Sequence, residues 1–563
     1  MRIGIVGGGP SAMFILKRLV DTGRSDFSVD IFEKTNKLGA GMPYSEEGAC
    51  PEHITNVSGN EIPELVTTVD DWVGMNYQAA NRYDVSVKNF NAYKVLPRLL
   101  FGAYLTQQFS FLLIKAEKMG LKVKVHYQAQ ISDIKDSVSG NQVELRSAND
   151  AVYTFDKIVV CSGHYWPKHN EGIVPGYFDS PYPPQKLTNL VNHTIAIRGS
   201  SLTAIDALRT LALNNGSFSL NAEGKKVYHL REDCPQFKIV LHSRNGLLPA
   251  VRFHLEDSHL SKDSVLDAGE VARIQAAHDG FLPLDEVYRR NFLEGIKTNR
   301  PDFYELIKDL SLEDFVELMM IRREDTPAFE LLKAEYAEAE RSIKLKRSVY
   351  WKEMLAVLSF AMNYPAKYFS AEDMLRLQKT LMPLIAIVIA FAPQDSVEEM
   401  IALYDAGVLE LVRVGENSNV EARESGGINY HYTNEAGEKV AVSYETFIDC
   451  VGQPHLNYDE IPFPGLIAEK TVSAAKVKFK DPLIAEAYLK DGNQRVFRND
   501  KGEYYLNVPG ITIDDHFRII NDAGEINERI YMMAVPFIGG FNPDYSGLDF
   551  GEAASMRIVG KLI

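Results

Sequence analysis

The chain has 563 residues, of which 45% are hydrophobic and 24% are charged, a composition typical of globular domains. Since domains commonly hold roughly 100–200 residues, this length predicts about three of them. Sixty basic and 76 acidic residues give a formal net charge of −16. An acidic surface repels nucleic acid and anionic lipid, so we expect neither as a partner.

The cysteines, the histidines and the apolar runs narrow the class further. None of the four cysteines stands at C-x-x-C spacing, which argues against a redox dithiol and suits a reducing cytoplasm. Thirteen histidines lack ligand spacing, so no metal site is predicted. The longest apolar run, 381–392, is too short to span a bilayer, which needs about 20 residues. We expect this run to form a buried helix. The N-terminus lacks the features of a signal peptide.

The chain opens with a βαβ pattern. An apolar strand at 2–6 precedes a glycine turn, a helix with Ala12, Ile15, Leu16 and Leu19 on one face, and a strand at 28–33. A loop region follows at 39–75. The later predicted elements are a helix from Pro97 to about Met119, strands at 123–128, 143–147 and 153–161, a strand at 194–198, a helix at 202–214 and a strand at 238–242. The first two of these strands alternate polar and apolar residues, which predicts an antiparallel ribbon.

From about 264 to 406 the sequence favours helices almost throughout. Strand patterns return at 409–414, 431–433 and 446–450, and 460–563 indicates a return to the first domain. The predicted fold class is therefore α/β, with two Rossmann-like dinucleotide-binding domains, one inserted in the other, and a helical insertion. The predicted domains are 1–190 with 460–563, 191–263 with 407–459, and the insertion at 264–406.

The first turn, Gly7-Gly8-Gly9-Pro10-Ser11-Ala12, follows the G-x-G-x-x-A pattern. Gly7 permits the tight turn, Gly9 allows a pyrophosphate to approach the backbone, and Ala12 lets the helix pack on the sheet. The helix that starts at Pro10 then directs its free N–H groups, beginning with that of Ser11, at the phosphates. Glu33 ends the next strand, where a carboxylate binds ribose hydroxyls.

A second turn begins at Gly199. Ser200, Ser201 and Thr203 follow it, with Ser201 in place of the middle glycine. The next strand ends without an acid to accept a ribose 2′-hydroxyl. Ser243 and Arg244 stand there instead and suit a 2′-phosphate, which favours NADPH over NADH. Gly452 follows another strand and is expected to close this domain.

Several segments resemble a known family. They are Gly39-Ala40-Gly41-Met42-Pro43-Tyr44-Ser45, His53-Ile54-Thr55-Asn56-Val57, Pro97-Arg98 with the helix to Leu105, Ile158 to Gly163, Thr203-Ala204-Ile205-Asp206 and Tyr531 to Gly540. The chain resembles oxidoreductases with two dinucleotide-binding domains, and within them the family described simply as FAD-NAD(P)-binding. These are related to N-hydroxylating and Baeyer–Villiger flavin monooxygenases.

The resemblance implies that the first site binds FAD. It places Lys34, Gly41, Met42, Tyr44, Asn56, Arg98, Ile131, Ser162, Gly163, Gly540, Gly547 and Leu548 among the cofactor-binding residues. His53 and Asn56 are candidate catalytic residues, although a loop histidine bonded to backbone is an equal alternative for His53. His164, Arg252 and His254 are further acid or base candidates, and Asp544 and Asp549 are candidates for the ribityl chain. The insertion departs from the family pattern, so no substrate contacts are carried over to it.

Three functions remain open. The first is an NADPH-dependent flavin monooxygenase acting on a small molecule, such as an amino acid or amine, with molecular oxygen as co-substrate. The second is a reductase or dehydrogenase that passes electrons from NADPH to an acceptor. The third is a non-enzymatic redox sensor with bound flavin. In each of them the cofactors supply the redox chemistry.

Overall fold

A computed structural model describes residues 1–85, 90–91, 93–137, 141–255, 266–544 and 547–563. Its first large sheet has six strands, five of them parallel, with an antiparallel strand at one edge. In spatial order the strands are Arg518–Ile520, Ile526–Met532, Lys157–Val160, Arg2–Val6, Ser28–Phe32 and Lys122–His126. The N-terminal and C-terminal parts of the chain thus build one sheet together.

Helices cover this sheet because their apolar faces need burial. Pro10–Asp21 buries the predicted face, with Ala12, Ile15, Leu16 and Leu19 fully inaccessible to solvent. It packs against Arg98–Lys118 and against Gly547–Leu562. A Cβ on Gly551 would lie 3.0 Å from Cδ2 of Phe14. The absence of a side chain therefore lets the first and last helices approach closely.

The second large sheet has five strands, all parallel. In spatial order they are Tyr177–Phe178, Thr446–Asp449, Thr194–Arg198, Lys238–Ser243 and Leu409–Arg413. Leu202–Asn215 is the helix that follows the central strand. Two parallel sheets with helices confirm the predicted fold class. The predicted domain boundaries remain a proposal, and Tyr177–Phe178 already joins the second sheet ahead of position 191.

Smaller sheets decorate both units. They are Ile54–Ser58 with Val95–Pro97; Ile131–Ser137, Gln142–Ser147 and Val152–Phe155; Gly216–Leu220 with Lys226–Leu230; Asn419–Ala422, Ile428–Thr433 and Lys439–Tyr444; and Ala474–Lys478, Tyr504–Ile511 and Val496–Arg498. The other helices outside the insertion are Val69–Met75, Tyr77–Asn81, Pro464–Ala468 and Pro482–Lys490, with short 3-10 turns at Gly59–Glu61, Pro184–Leu187, Tyr458–Glu460 and Val535–Phe537.

Between 266 and 406 the described residues form helices and turns, as predicted; the expected start at 264 lies outside the described residues. The α-helices are Ala268–Ala277, Leu284–Tyr288, Glu294–Asn299, Pro301–Ile307, Leu312–Glu324, Ala328–Leu345, Tyr350–Ala361, Ala371–Arg376, Met382–Val388 and Gln394–Asp405. Two π-helical turns, Arg289–Leu293 and Leu377–Leu381, and a 3-10 turn, Pro365–Tyr368, complete this part. The apolar run at 381–392 supplies the buried face of Met382–Val388.

Buried charges attach the insertion to the second sheet's helix and loop. Arg209 of that helix donates through Nε to Glu399 at 2.7 Å. Within the insertion, Glu335 accepts from Arg323 at 2.7 Å and from Lys352 at 2.9 Å. Each side chain in this triad is less than one-tenth exposed. Removing one partner of such a buried pair leaves an uncompensated charge, which strongly destabilises a fold.

The structure corrects two strand predictions. Lys122–His126 pairs in parallel with Ser28–Phe32 rather than forming an antiparallel ribbon. The predicted strand at 153–161 is two strands, Val152–Phe155 and Lys157–Val160, in different sheets. Asp156 breaks it, because its main-chain N–H donates to the Arg2 carbonyl and its carboxylate accepts from the Arg2 N–H. Pairing partners far apart in sequence decided both cases.

Candidate cofactor-binding site

A cavity of about 1030 Å³ opens at the carboxyl ends of the first sheet's strands. This is at the upper end for small-molecule and cofactor pockets, roughly 300–1,000 Å³. Its lining includes fourteen of the predicted cofactor residues: Gly7, Gly9, Pro10, Ser11, Glu33, Lys34, Gly41, Met42, Tyr44, Ile131, Ser162, Gly163, Gly547 and Leu548. Segments from both ends of the chain therefore meet around one space.

The glycine turn forms one wall of the cavity. Gly7 has φ +103°, and a Cβ there would lie 2.6 Å from the carbonyl oxygen of Cys161 on the neighbouring strand. Gly9 caps the following helix without any side chain, and a Cβ on it would lie 3.4 Å from the Cα of Gly41. The first-turn N–H groups thus face a space that side chains would otherwise fill, the arrangement that accepts a diphosphate.

Glu33 is placed by the same turn. Its Oε2 accepts from the Gly8 N–H at 2.8 Å and its Oε1 accepts from the Thr35 N–H at 2.8 Å. The carboxylate is buried but lines the cavity. Because a carboxylate oxygen accepts more than one hydrogen bond, it keeps acceptor capacity for ribose hydroxyls.

The loop after Glu33 lies across the helix start, held by close backbone contacts. A Cβ on Gly39 would lie 2.5 Å from the Leu105 carbonyl oxygen, and one on Gly102 would lie 1.9 Å from the Tyr44 carbonyl oxygen. The Gly-x-Gly pattern and the glycine in the 98–118 helix therefore serve one packing contact. This contact fixes Met42 and Tyr44 at the cavity wall.

Five predicted first-site residues lie outside the lining: Ala12, His53, Asn56, Arg98 and Gly540. Ala12 is buried between helix and sheet, as its packing role requires. Gly540 packs against the Pro509 carbonyl, 2.2 Å from where its Cβ would lie. Arg98 donates through Nη1 to Asp206 at 2.5 Å and through Nε to the Ile54 carbonyl at 3.1 Å. Arg98 thus ties the first unit to the helix of the second.

His53 is fully buried at the same junction. Its Nδ1 accepts from the Cys50 N–H at 3.1 Å, so Nε2 carries the proton and faces the Asp206 carbonyl and the Thr210 hydroxyl. Burial lowers the pKa of His53, with Asp206 opposing and Arg98 reinforcing this. These contacts match the structural alternative for His53. Its catalytic role, and that of Asn56, remain predictions.

The other acid or base candidates differ in position. His164 lines the cavity and contacts the Gln453 side chain at 3.1 Å. Arg252 is buried, donating to the Ser58 hydroxyl at 2.7 Å and pairing with Glu61. His254 packs against Tyr93 with ring centroids 4.7 Å apart. Of the three, the structure brings only His164 to the cavity.

Gln453, which the sequence did not single out, and Trp166 form hydrogen bonds between the segment after Cys161 and the segment after Cys450. The Gln453 amide accepts from the Tyr165 N–H at 2.8 Å and donates to the Tyr165 carbonyl at 2.7 Å. Trp166 donates to the Gly452 carbonyl at 3.0 Å. The segments after the two Cys-x-Gly strand ends therefore lie side by side. Gln453 directly follows predicted Gly452, which was the available signal.

The second glycine turn repeats the geometry of the first. Gly199 has φ +108°, and a Cβ there would lie 2.6 Å from the Cys450 carbonyl oxygen. Ser201 caps the helix without a side-chain hydrogen bond, so the first-turn N–H groups stay available. Ser200 donates to the Leu247 carbonyl at 2.8 Å, and Thr203 lies 3.9 Å from the Cβ position of Gly452. Gly199, Ser200, Ser201, Thr203 and Gly452 thus surround one corner.

The two residues predicted to bind a 2′-phosphate, Ser243 and Arg244, differ in exposure to solvent. Ser243 is buried, and its hydroxyl donates to Oδ1 of Asn245 at 3.0 Å. Arg244 is largely exposed, with its guanidinium 3.5 Å from the Glu416 carboxylate. Arg244 is therefore free to turn toward a ligand, whereas the Ser243 hydroxyl is engaged by its own loop.

The C-terminal helix begins at the cavity with Gly547 and Leu548. Asp549 in its first turn is half-buried, and its Oδ1 accepts from the Phe550 N–H at 2.9 Å. Burial raises the pKa of Asp549 to about 6, although hydrogen bonds from the main chain act in the opposite direction. The other ribityl candidate, Asp544, exchanges main-chain contacts with the Asn363 amide of the insertion.

Neither a metal centre nor a membrane-spanning helix is found among the described residues. They contain no group of three or more His, Cys, Asp or Glu side chains placed to hold a metal ion. In the same part of the chain, no helix combines the length and apolarity needed to cross a bilayer.

The fold and the site define an α/β protein with two glycine turns, each of which follows an inner strand of a large sheet. Residues 4–165 match the family model described as FAD-NAD(P)-binding, which confirms the family resemblance and the nucleotide prediction for this segment. Residues 267–389, inside the predicted insertion, match the model described as YdhS-like middle domain.

One curated relative is similar over most of its length. The protein YdhS of Escherichia coli (strain K12), which its name describes as uncharacterized, is 29% identical over 473 residues, covering 83% of this chain and 85% of the relative. Among solved structures, L-lysine 6-monooxygenase from Pseudomonas syringae gives a TM-score of 0.48 at 11% identity, covering 100% of this chain and 98% of that one. The FAD-bound cadaverine monooxygenase DfoA from Erwinia amylovora gives 0.42 at 9% identity, covering 100% and 94%.

Proposed function

We propose that this protein is an FAD-dependent oxidoreductase that takes electrons from NADPH. The observation that carries the proposal is the duplicated corner: Gly7 and Gly199 have similar positive φ angles, +103° and +108°, and a Cβ on either would lie 2.6 Å from a carbonyl oxygen at the end of the adjacent strand. Two such corners hold two dinucleotides. The Gln453–Tyr165 hydrogen bonds hold the segment after Cys161 against the segment after Cys450. Both cofactors would therefore face one cleft.

Residues of this chain would bind FAD and orient it in the cavity. The helix start at Pro10 and Ser11 and the carboxylate of Glu33 would hold the diphosphate and ribose of FAD. Met42, Tyr44, Ser162 and Gly163 would border the rest of the cofactor. When bound, FAD supplies hydride acceptance from the nicotinamide and, once reduced, reactivity toward oxygen.

Of the possible oxidoreductases, we propose a monooxygenase that acts on a small molecule such as an amine. All four cysteines are buried and unpaired, which disfavours a dithiol reductase, because reactive cysteines need an exposed environment that stabilises the thiolate. The resemblance to N-hydroxylating enzymes supports the same choice. Val535 to Phe537 and the start of the last helix line the same cavity, and their apolar side chains would limit the access of water to a bound flavin.

The test begins with the purified full-length chain and its visible spectrum. A bound flavin that is bleached anaerobically by NADPH, and much more slowly by NADH, is the expected result. A colourless protein that FAD does not reconstitute would disprove the proposal. Oxygen uptake in step with NADPH oxidation and an oxygenated product, measured over a panel of amines and amino acids, supports the monooxygenase. Turnover with an artificial electron acceptor alone indicates a reductase, and bound flavin without turnover indicates a sensor.

A further inference from the structure

Arg413 ends a strand, and Arg244 directly follows the neighbouring strand. The strands Lys238–Ser243 and Leu409–Arg413 are parallel, and Arg413 is the register partner of Ser243. The N–H groups of Val414 and Gly415 donate to the carbonyls of Ser243 and Arg244, at 2.9 and 3.0 Å. The main chains of the two arginines therefore run side by side beyond the sheet.

This is the edge of the sheet at which the second glycine turn lies. The Gly199 N–H donates to the His242 carbonyl at 2.9 Å, and His242 lies between Arg198 and Val412 in register. In parallel α/β sheets nucleotides bind beyond the carboxyl ends of the strands. Both arginines are thus attached at the edge of the sheet where the adenosine half of a bound nicotinamide cofactor would end.

The Arg413 side chain is placed by a glycine. Gly246 has φ +71°, and its Cβ position lies 3.1 Å from Cβ and 3.5 Å from Cγ of Arg413. The aliphatic part of Arg413 consequently lies over the bare backbone of Gly246, two residues beyond Arg244. A side chain at 246 would displace it.

Each arginine is near one carboxylate. Arg244 lies 3.5 Å from Glu416, and Arg413 lies 3.6 Å from Glu324. Glu324 ends the Leu312–Glu324 helix of the insertion. Exposed ion pairs at this distance contribute at most about 1 kcal/mol. A phosphate dianion, which guanidinium groups bind with short charge-assisted hydrogen bonds, is expected to displace them.

We propose that Arg413 and Arg244 together hold the 2′-phosphate of NADPH, and that Glu324 of the helical insertion competes with this phosphate for Arg413. The inference rests on the proposed function, and it gives the insertion a part in cofactor choice. Arg413 changes partner, from a carboxylate of the insertion to the phosphate of the cofactor. The Ser243 hydroxyl does not contact the phosphate, because it donates its hydrogen bond to Oδ1 of Asn245.

The test is calorimetric titration of the full-length, FAD-loaded protein with 2′,5′-ADP and, separately, with 5′-AMP. These probes differ only in the 2′-phosphate. Arg413→Ala is expected to weaken 2′,5′-ADP binding roughly ten-fold to a hundred-fold, as loss of a hydrogen bond to a charged group does, with 5′-AMP unchanged. Glu324→Gln is expected to tighten 2′,5′-ADP binding and leave 5′-AMP unchanged. Arg231→Ala, an exposed arginine paired with Asp233, is the matched control.

A failure of the two-arginine phosphate site, formed by Arg413 and Arg244, can be told apart from a failure of the proposed function. If Arg413→Ala binds 2′,5′-ADP as the wild type does, or loses both probes equally, Arg413 is not part of the phosphate site. If Glu324→Gln leaves 2′,5′-ADP binding unchanged, the competition is wrong. Equal wild-type affinity for both probes, or binding of neither, would overturn both the two-arginine phosphate site and the NADPH preference. The flavin spectrum would still test FAD binding at the first site.

Discussion

Gly7 and Gly199 stand in the same relation to their sheets. A Cβ on Gly7 would lie 2.6 Å from the Cys161 carbonyl oxygen, and a Cβ on Gly199 would lie 2.6 Å from the Cys450 carbonyl oxygen. Their N–H groups donate to Phe32 at 2.8 Å and His242 at 2.9 Å. The two glycine turns therefore have the same local structure. Each turn can be altered by a substitution at its own glycine.

Gly7→Ala and Gly199→Ala should separate the two cofactors. Alanine at a positive φ costs about 1–2 kcal/mol, and the contact with the carbonyl adds to it. We expect Gly7→Ala to lose bound flavin, measured as the ratio of visible to ultraviolet absorbance. Gly199→Ala should keep flavin but lose anaerobic reduction by NADPH.

Gly23→Ala is the control for this pair. Gly23 has φ +70° with no atom within 4 Å of its Cβ position, so it incurs the backbone cost without the contact. It should keep both flavin and reduction. Flavin retention by Gly7→Ala at the wild-type level would contradict the assignment of the first corner.

His53→Gln tests whether this histidine is structural. Burial lowers the pKa of His53, so the folded state binds its proton less readily than the unfolded state, whose pKa is about 6.5. Its contribution to stability is therefore lost as pH falls below that value. We expect the variant to melt at a lower temperature at pH 8, with a smaller further loss toward pH 5 than the wild type shows. A shifted pH profile of NADPH oxidation with an unchanged Tm would instead support a catalytic role.

Glu335→Gln should destabilise the insertion strongly. Burial alone would raise the pKa of Glu335, but Lys352 and Arg323 outweigh it and hold the pKa below its usual range. The carboxylate therefore stabilises the fold at pH above its unfolded value of about 4.3, and this contribution is lost as pH falls. Removing it at pH 7 leaves buried Arg323 without a carboxylate and Lys352 with only the half-exposed Glu338, at a cost of about 3–5 kcal/mol.

Urea unfolding at pH 7 measures this change. Glu338→Gln is the matched control, because Glu338 also pairs with Lys352, at 2.9 Å, but is 47% exposed. Exposed pairs contribute about 0–1 kcal/mol. Equal effects of the two substitutions would show that burial of the triad does not decide the stability.

Asp549→Asn should change how stability depends on pH. Burial raises the pKa of Asp549 to about 6, above its unfolded value of about 3.9. The folded state then binds the proton more tightly, so wild-type stability falls as pH rises from about 4 through 6. We expect the variant to have a higher Tm than the wild type at pH 7.5 and a similar Tm at pH 4.5. A pH-independent difference would place the carboxylate in a less buried setting.

Much of the first site could be predicted from local sequence. The strand at 2–6, the glycine turn and the helix face at Ala12 to Leu19 follow from periodicity and from backbone conformations that glycine permits. Gly7, Glu33 and Ser162 line one cavity because each follows the carboxyl end of a strand in the first sheet. Arg98 and Arg413 illustrate the opposite case, since the partner of each, Asp206 or Glu324, is more than 80 positions away in the chain.

The sequence by itself determined the two glycine corners, the helical character of the insertion and the absence of C-x-x-C spacing, because these depend on backbone conformation, short-range periodicity and residue type. Only the tertiary structure decided which sheet received Lys122–His126, where Arg98 and His53 were directed, and which acid lay near Arg413. The physical reason is that strand pairing and buried polar contacts join residues distant in sequence, and their partners are fixed only when the units pack together.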